Sequence, residues 1–99
     1  MLKAASDRHL QDAANMFDAL SDVSRLRTLM LLADRSFSVS EIAAAEGEKM
    51  TTVSARLQVL HAARLIDRQR EGKSIIYRIA DDHVLTLVRN AIAHAAERH

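Results

Sequence analysis

The strongest constraint in this sequence is a change of period. Up to Ala63 the apolar residues recur at helical spacing, and then two short runs follow, 65–70 and 74–79, rich in Ile, Tyr and Arg and separated by Glu71-Gly72-Lys73. Two extended runs joined at a glycine predict a β-hairpin. Immediately before it, residues 51–63 predict a helix with unlike faces. At about 100° per residue, Val53, Leu57 and Leu60 fall on one side, while Thr51, Ser54, Ala55 and Gln58, all small or polar, fall on the other. Glu41, Ile42, Ala43, Ala44 and Ala45 predict a shorter helix ahead of it, stopped by Gly47. Ser40, followed three residues later by an alanine, offers only half a capping signal for that helix. A short helix, a glycine turn and a helix with a flat polar face form the helix-turn-helix pattern, and a hairpin placed directly behind it is a wing.

Three more helices complete the expectation. Leu10, Ala13, Ala14, Phe17 and Leu20 predict one over 7–20, and Val23, Leu26, Leu29, Met30 and Ala33 predict a second, capped by Ser21 or Asp22. Asp82 is expected to cap a last helix running to about Arg98. The expected fold is mainly α with a β-hairpin wing: a winged helix-turn-helix forming one domain over residues 1–99 and a homodimer through its terminal helices. A chain of 99 residues buries a modest core, so a dimer interface is a natural further source of stability. There is no cysteine, which excludes disulfides and thiolate metal sites and fits a cytoplasmic protein. No secretory signal is expected, and no apolar stretch approaches the roughly 20 residues of a membrane span.

The net charge of +1 says little, but its distribution says more. Arg56, Arg64, Arg68, Arg70, Lys73 and Arg78 face only Asp67 and Glu71 in the same stretch. The small polar face over 51–58 suits the major groove, where hydroxyls and amides reach base edges. Arg68, Arg70 and Lys73 on the hairpin would neutralise backbone phosphates. The alternative is a solvated helix face beside a hairpin whose charges discourage edge pairing. The order of helix, turn, polar helix and basic hairpin favours DNA.

A second cluster lies in the last helix. His94 and Glu97 fall on nearly the same stripe as His83, and Asp81 stands just before the first turn. Imidazole and carboxylate are good ligands for a borderline divalent metal. Yet His83 and His94 are roughly 16 Å apart along a helix axis, so one straight helix cannot close such a site. Two antiparallel copies can. The pairs His83/His94, Asp81/Glu97 and His83/Glu97 share one antiparallel register to within three positions, crossing near residues 88–90. A two-fold dimer would then carry two sites, each with Asp81 and His83 from one copy and His94 and Glu97 from the other. Val84, Val88, Ala91, Ile92 and Ala95 supply an apolar face for packing beside this stripe. The alternative is that these are solvated polar residues on the open side of an amphipathic helix. His61 is expected to flank the DNA face or be exposed, and His9 or His99 could add a ligand.

Four segments, ALSDVSRLRTLMLL at 19–32, SVSEIAAAEG at 38–47, TTVSARLQVLHAARLI at 51–66 and REGKSIIYRI at 70–79, resemble the ArsR/SmtB family of bacterial winged-helix repressors. Asp81-x-His83, His94 and Glu97 are similar to the family's zinc-type site at the right spacing. The resemblance implies a dimeric repressor that releases operator DNA on binding its inducer and so derepresses metal efflux or sequestration genes. It implies operator contacts at Met50, Thr51, Ser54, Ala55 and Arg56, and wing contacts at Arg70 and Lys73. It also implies that His94 signals through its free ring nitrogen to backbone near Arg64, at the end of the recognition helix. Zn(II) is the expected inducer, with Co(II) or Ni(II) as alternatives; a repressor answering to a non-metal signal, or to none, is the competing reading. The family's soft-metal cysteines are here Ser38 and Ser40, so sensing of arsenic, cadmium or lead at that place is not expected. Val23 stands where proline is common, and Ala55 could touch only a thymine methyl. No small organic substrate is expected, nor an enzyme: a metal-dependent hydrolase needs an open coordination position, which four protein ligands between packed helices do not leave.

Overall fold

The computed structural model describes residues 6–97. The expected helix end at Arg98 and any ligand role for His99 lie outside the described residues. Four of the five helices begin where a short polar side chain satisfies a first-turn amide; α4, which follows Lys49, has no side-chain cap. The Ser6 hydroxyl accepts from the His9 amide at 3.2 Å and starts α1 (Asp7–Leu20). Asp22, of the two expected caps, accepts from the Arg25 amide at 3.0 Å and starts α2 (Val23–Asp34). A two-residue strand, β1 (Phe37–Ser38), follows, and α3 (Val39–Glu46) begins directly on it.

The α3 cap is Ser38, not Ser40. The Ser38 hydroxyl accepts from the Glu41 amide at 3.2 Å, and the Glu41 carboxylate accepts from the Ser38 amide at 2.9 Å. This reciprocal capping box has its Ser-x-x-Glu signature at 38–41. The helix stops at Gly47, which takes the left-handed conformation (φ 64°). The chain then enters α4 (Met50–Ala62), the second helix of the helix-turn-helix. The wing is β2 (Ile66–Glu71) and β3 (Ser74–Ile79), joined by a two-residue turn with Gly72 at φ 62°. The sheet has three antiparallel strands in the order β1-β3-β2 rather than the hairpin alone: Phe37 pairs with Tyr77 and Ser38 with Ile76. A two-residue strand is too short to show a period, so nothing in the pattern announced it. Finally α5 (Asp82–Ala96) is capped by Asp81, not Asp82; Asp81 Oδ1 accepts from the Val84 amide at 3.1 Å.

Leu29 of α2, Ile42 of α3, Val53, Leu57 and Leu60 of α4 and Leu65 have no solvent exposure. Phe37 and Tyr77 from the sheet and Val84 and Val88 from α5 close the same core. The apolar face of α5 is therefore buried only over its first half, and Ile92 is exposed. Leu10 and Phe17 on α1 and Leu87 on α5 are also exposed, more apolar surface than the core demands. Among the described residues no helix is long and apolar enough to cross a membrane. Because Leu57 sits at the centre of this core, Leu57→Ala is expected to cost about 2–5 kcal/mol. A urea unfolding midpoint lowered at fixed protein concentration checks this.

Candidate nucleic-acid interface and metal half-sites

The two faces of α4 are as unlike in space as in sequence. Val53, Leu57 and Leu60 face the core; Met50, Thr51, Ala55 and Gln58 are exposed and Ser54 is half-buried. No side chain longer than Gln58 or Met50 stands on this exposed stripe, so the helix surface is low enough for close approach of a base edge. In the wing, Arg68, Arg70 and Lys73 are exposed. Strand alternation places Arg68 and Arg70 on one face of β2 and Asp67, Gln69 and Glu71 on the other. Within β2 the cations are thus separated from the acids, while Arg78 of β3, paired with Asp67, lies on the acidic face and donates to the Gln69 side chain at 3.2 Å.

Arg56 is placed elsewhere. Expected as an operator contact, it is engaged in internal bonds in this structure. The guanidinium is turned away from the polar stripe and grips Glu48 with two parallel hydrogen bonds, Nη1 to Oε1 at 2.7 Å and Nη2 to Oε2 at 2.8 Å. Nη1 also reaches Glu46 Oε1 at 3.1 Å and Thr28 Oγ1 at 3.3 Å, and the Thr28 hydroxyl lies 3.1 Å from both Glu46 oxygens. The Arg56 and Glu46 side chains are each 8% exposed. Helix geometry explains the difference: Arg56 lies about 140° round from Thr51, toward the buried stripe. The Arg56 hydrogen bond holds the Glu48 carboxyl below its ordinary value, against a partly opposing effect of burial. Glu48 in return raises Arg56, which keeps its charge. Sequence reasoning missed Thr28, Glu46 and Glu48; two glutamates flanking Gly47, opposite an inward-turned arginine, were the signal.

The four expected metal ligands fall into two pairs at opposite ends of α5. His83 Nδ1 lies 3.6 Å from Asp81 Oδ1, and His94 Nδ1 lies 3.6 Å from Glu97 Oε1. His83 and His94 are 97% and 76% exposed. Among the described residues no three histidine or acidic side chains converge as a metal cage within one chain. Each pair offers one imidazole and one carboxylate, half of a tetrahedral set, so the donors suit zinc when two halves meet. Two details differ from expectation. Asp81 already spends Oδ1 on the helix cap, and Glu97 lies one residue past the helix, on extended backbone, with its amide donating to the His94 carbonyl at 3.1 Å.

Arg64 closes the recognition helix in the left-handed conformation (φ 64°), a strained state for a residue with a side chain. Its amide donates to the His61 carbonyl at 2.9 Å, and its guanidinium lies 3.7 Å from Asp12 of α1. Arg64 lines an open cavity of about 640 Å³ together with His61, Met16, Asp81, His83 and Leu87. His61, expected on the DNA face or exposed, is instead half-buried beside the N-terminal half-site. His94 lies about three helical turns further along α5.

Comparison with known proteins gives consistent relatives. A transcriptional repressor SmtB homolog from Synechocystis is 38% identical over 87 residues, covering 88% of this chain and 66% of its own length. The HTH-type transcriptional repressor SmtB of Mycobacterium tuberculosis is 33% identical over 95 residues, covering 95% of this chain and 70% of its own length. The chain therefore spans about two thirds of the length of these relatives. Among solved structures, the homodimeric winged helix-turn-helix DNA-binding domain of a possible ArsR-family transcriptional regulator from Mycobacterium bovis superposes with a TM-score of 0.87 at 36% identity, covering 99% of this chain and 96% of that one. No family model matches the chain. The relatives are transcriptional regulators rather than enzymes.

The Glu48–Arg56 pair sets a pH dependence. A carboxyl lowered by folding contributes stability above the ordinary carboxylate range and loses it as pH falls through the lowered value. The wild type is therefore expected to exceed Glu48→Gln in stability at neutral pH, with the gap closing in acid. Urea midpoints of both proteins measured from pH 7 to pH 3 check the sign.

Proposed function

The chain belongs to the ArsR/SmtB family of transcriptional regulators, and from that premise we propose that it is a metal-responsive repressor, binding operator DNA as a homodimer and releasing it when Zn(II), or else Co(II) or Ni(II), binds between the last helices of its two copies. The low polar stripe of α4, with Met50, Thr51, Ser54, Ala55 and Gln58, would enter the major groove. Arg68, Arg70 and Lys73 would hold the flanking phosphates. The exposed apolar residues of α1 and the outer half of α5 supply surface for a second copy, and the homodimeric M. bovis relative supports that assembly.

The observation that carries the metal reading is the division of the donors into two half-sites at opposite ends of one helix. An antiparallel second copy brings the Asp81–His83 half of one protomer to the His94–Glu97 half of the other. Bound there, a divalent ion supplies a stiff link among four side chains. Within the chain, Asp81 ties its half-site to the first turn of α5, and His61 and Arg64 join that end of the cavity to the end of the recognition helix. The linked state would favour a dimer whose two recognition helices no longer match major grooves one turn apart, about 34 Å along DNA. The coupling is reciprocal, so operator DNA weakens metal binding by the same factor.

Titration of the operator-bound dimer with Zn(II), Co(II) and Ni(II), followed by fluorescence anisotropy, tests this. At least one metal should lower DNA affinity, and His94→Ala should abolish the response while leaving metal-free DNA binding intact. Indifference of DNA affinity to all three metals sinks the metal reading; elemental analysis finding about two metals per dimer, lost in His83→Ala, supports it. Asp81→Asn separates the two duties of that residue. Asparagine caps a helix as well as aspartate does, whereas its neutral amide is the poorer ligand. The melting temperature and DNA affinity should stay near wild type while the metal response is lost.

A further inference from the structure

A partly buried cluster of charge, with Arg56 and Glu46 inside and Glu48 at its exposed edge, ties together the three helices that frame the proposed recognition surface. Arg56 is the only residue of α4 in the cluster; Thr28 comes from α2, Glu46 from the end of α3 and Glu48 from the turn after Gly47. Thr28 has no solvent exposure. The guanidinium can satisfy several acceptors at once because its donors form a rigid planar fork. A buried ion pair of this kind is weak evidence for stability, since desolvation offsets much of the attraction. Its directional bonds instead fix how one helix lies against another. Two further charges bear on the cluster, Arg27 on Glu48 and Asp22 on Arg56, both from α2 and its cap.

We infer that Arg56 is a positioning residue for operator recognition: it touches no DNA, but by locking α4 to Glu46, Glu48 and Thr28 it sets the angle at which Thr51, Ser54, Ala55 and Gln58 meet the base edges. The inference rests on the DNA-binding function proposed above. Its consequence is a division of labour. Loss of the clamp should damage sequence-specific binding, which needs the helix angle, and spare non-specific binding, which needs only the cations of the wing.

The experiment compares the wild type with Arg56→Met, Arg56→Lys and the double variant Glu46→Gln/Glu48→Gln, each as the full chain. The probes are a duplex selected by the wild type from a random-sequence pool and an unselected random duplex. Affinities are measured by anisotropy over a range of salt concentrations, with circular dichroism as a check of folding. Positioning predicts at least a tenfold loss on the selected duplex in Arg56→Met, no loss on the random duplex, and an unchanged slope of log affinity against log salt. Lysine, lacking the fork, should rescue poorly. A phosphate contact predicts instead that both duplexes weaken together and the slope falls by about one, which would overturn the inference. The double variant decides the matter even if Arg56→Met fails to fold. It frees the arginine, so positioning predicts weaker specific binding and a direct contact predicts stronger binding. If the wild type selects no duplex at all, the DNA-binding reading fails instead.

Discussion

The domain depends on the complete burial of one stripe of α4. Val53, Leu57 and Leu60 have no exposure, and the core residues around them come from α2, α3, the sheet and the first half of α5. A helix anchored along one side by such packing can present its other side as a nearly bare surface, because nothing on that side is needed to hold it. This is what permits Thr51, Ala55 and Gln58 to be small or polar, and exposed, without loss of the fold. The face of α4 that holds the fold and the face left open for the proposed recognition are opposite sides of a single helix.

The charged groups follow a similar partition. Arg68, Arg70 and Lys73 stand out in solvent on the wing, where a polyanion can reach them, while Arg56 is withdrawn and neutralised by glutamates. The histidines divide too. The two pairs on α5 are exposed and individually too few to hold a metal firmly, whereas His61 is tucked beside the N-terminal pair. A site split between copies is silent in a monomer. Sensing on the proposed scheme would read the arrangement of two protomers, with α5 as both the contact between them and the ruler that spaces the two half-sites.

Much of this was legible in the sequence because it rests on periodicity. The stripe of α4, the bounds of α1 and β3, the glycine stop of α3 and the wing all follow from spacing that one chain displays on its own. What was not legible depends on pairing across the chain. β1 is two residues long and exists because Phe37 and Ser38 meet Tyr77 and Ile76, which no local pattern announces. The ends of α5 were displaced because Asp81 and Asp82 are equally plausible caps until backbone geometry selects one, and because the helix stops before Glu97. Arg56 was assigned to the groove by resemblance, although its place on the helical wheel pointed inward. A cation in a basic stretch invites an anionic partner from outside, and here the partners were two glutamates close by in the chain.

Ser38 carries a consequence for how such a chain could change its chemistry. It begins α3, through a hydroxyl that accepts from the Glu41 amide, and it is also one of the two positions where soft-metal sensors of the family carry cysteine. A thiol is a weak acceptor, so conversion to cysteine would unmake the cap, worth about 1 kcal/mol, on the helix that leads into the recognition helix. Ser40 is exposed and caps no amide, but its hydroxyl lies 3.1 Å from that of Ser38. Cysteine at the two positions would therefore not cost the same: at Ser40 it weakens one contact with the Ser38 hydroxyl, while at Ser38 it also removes the acceptor on which α3 begins.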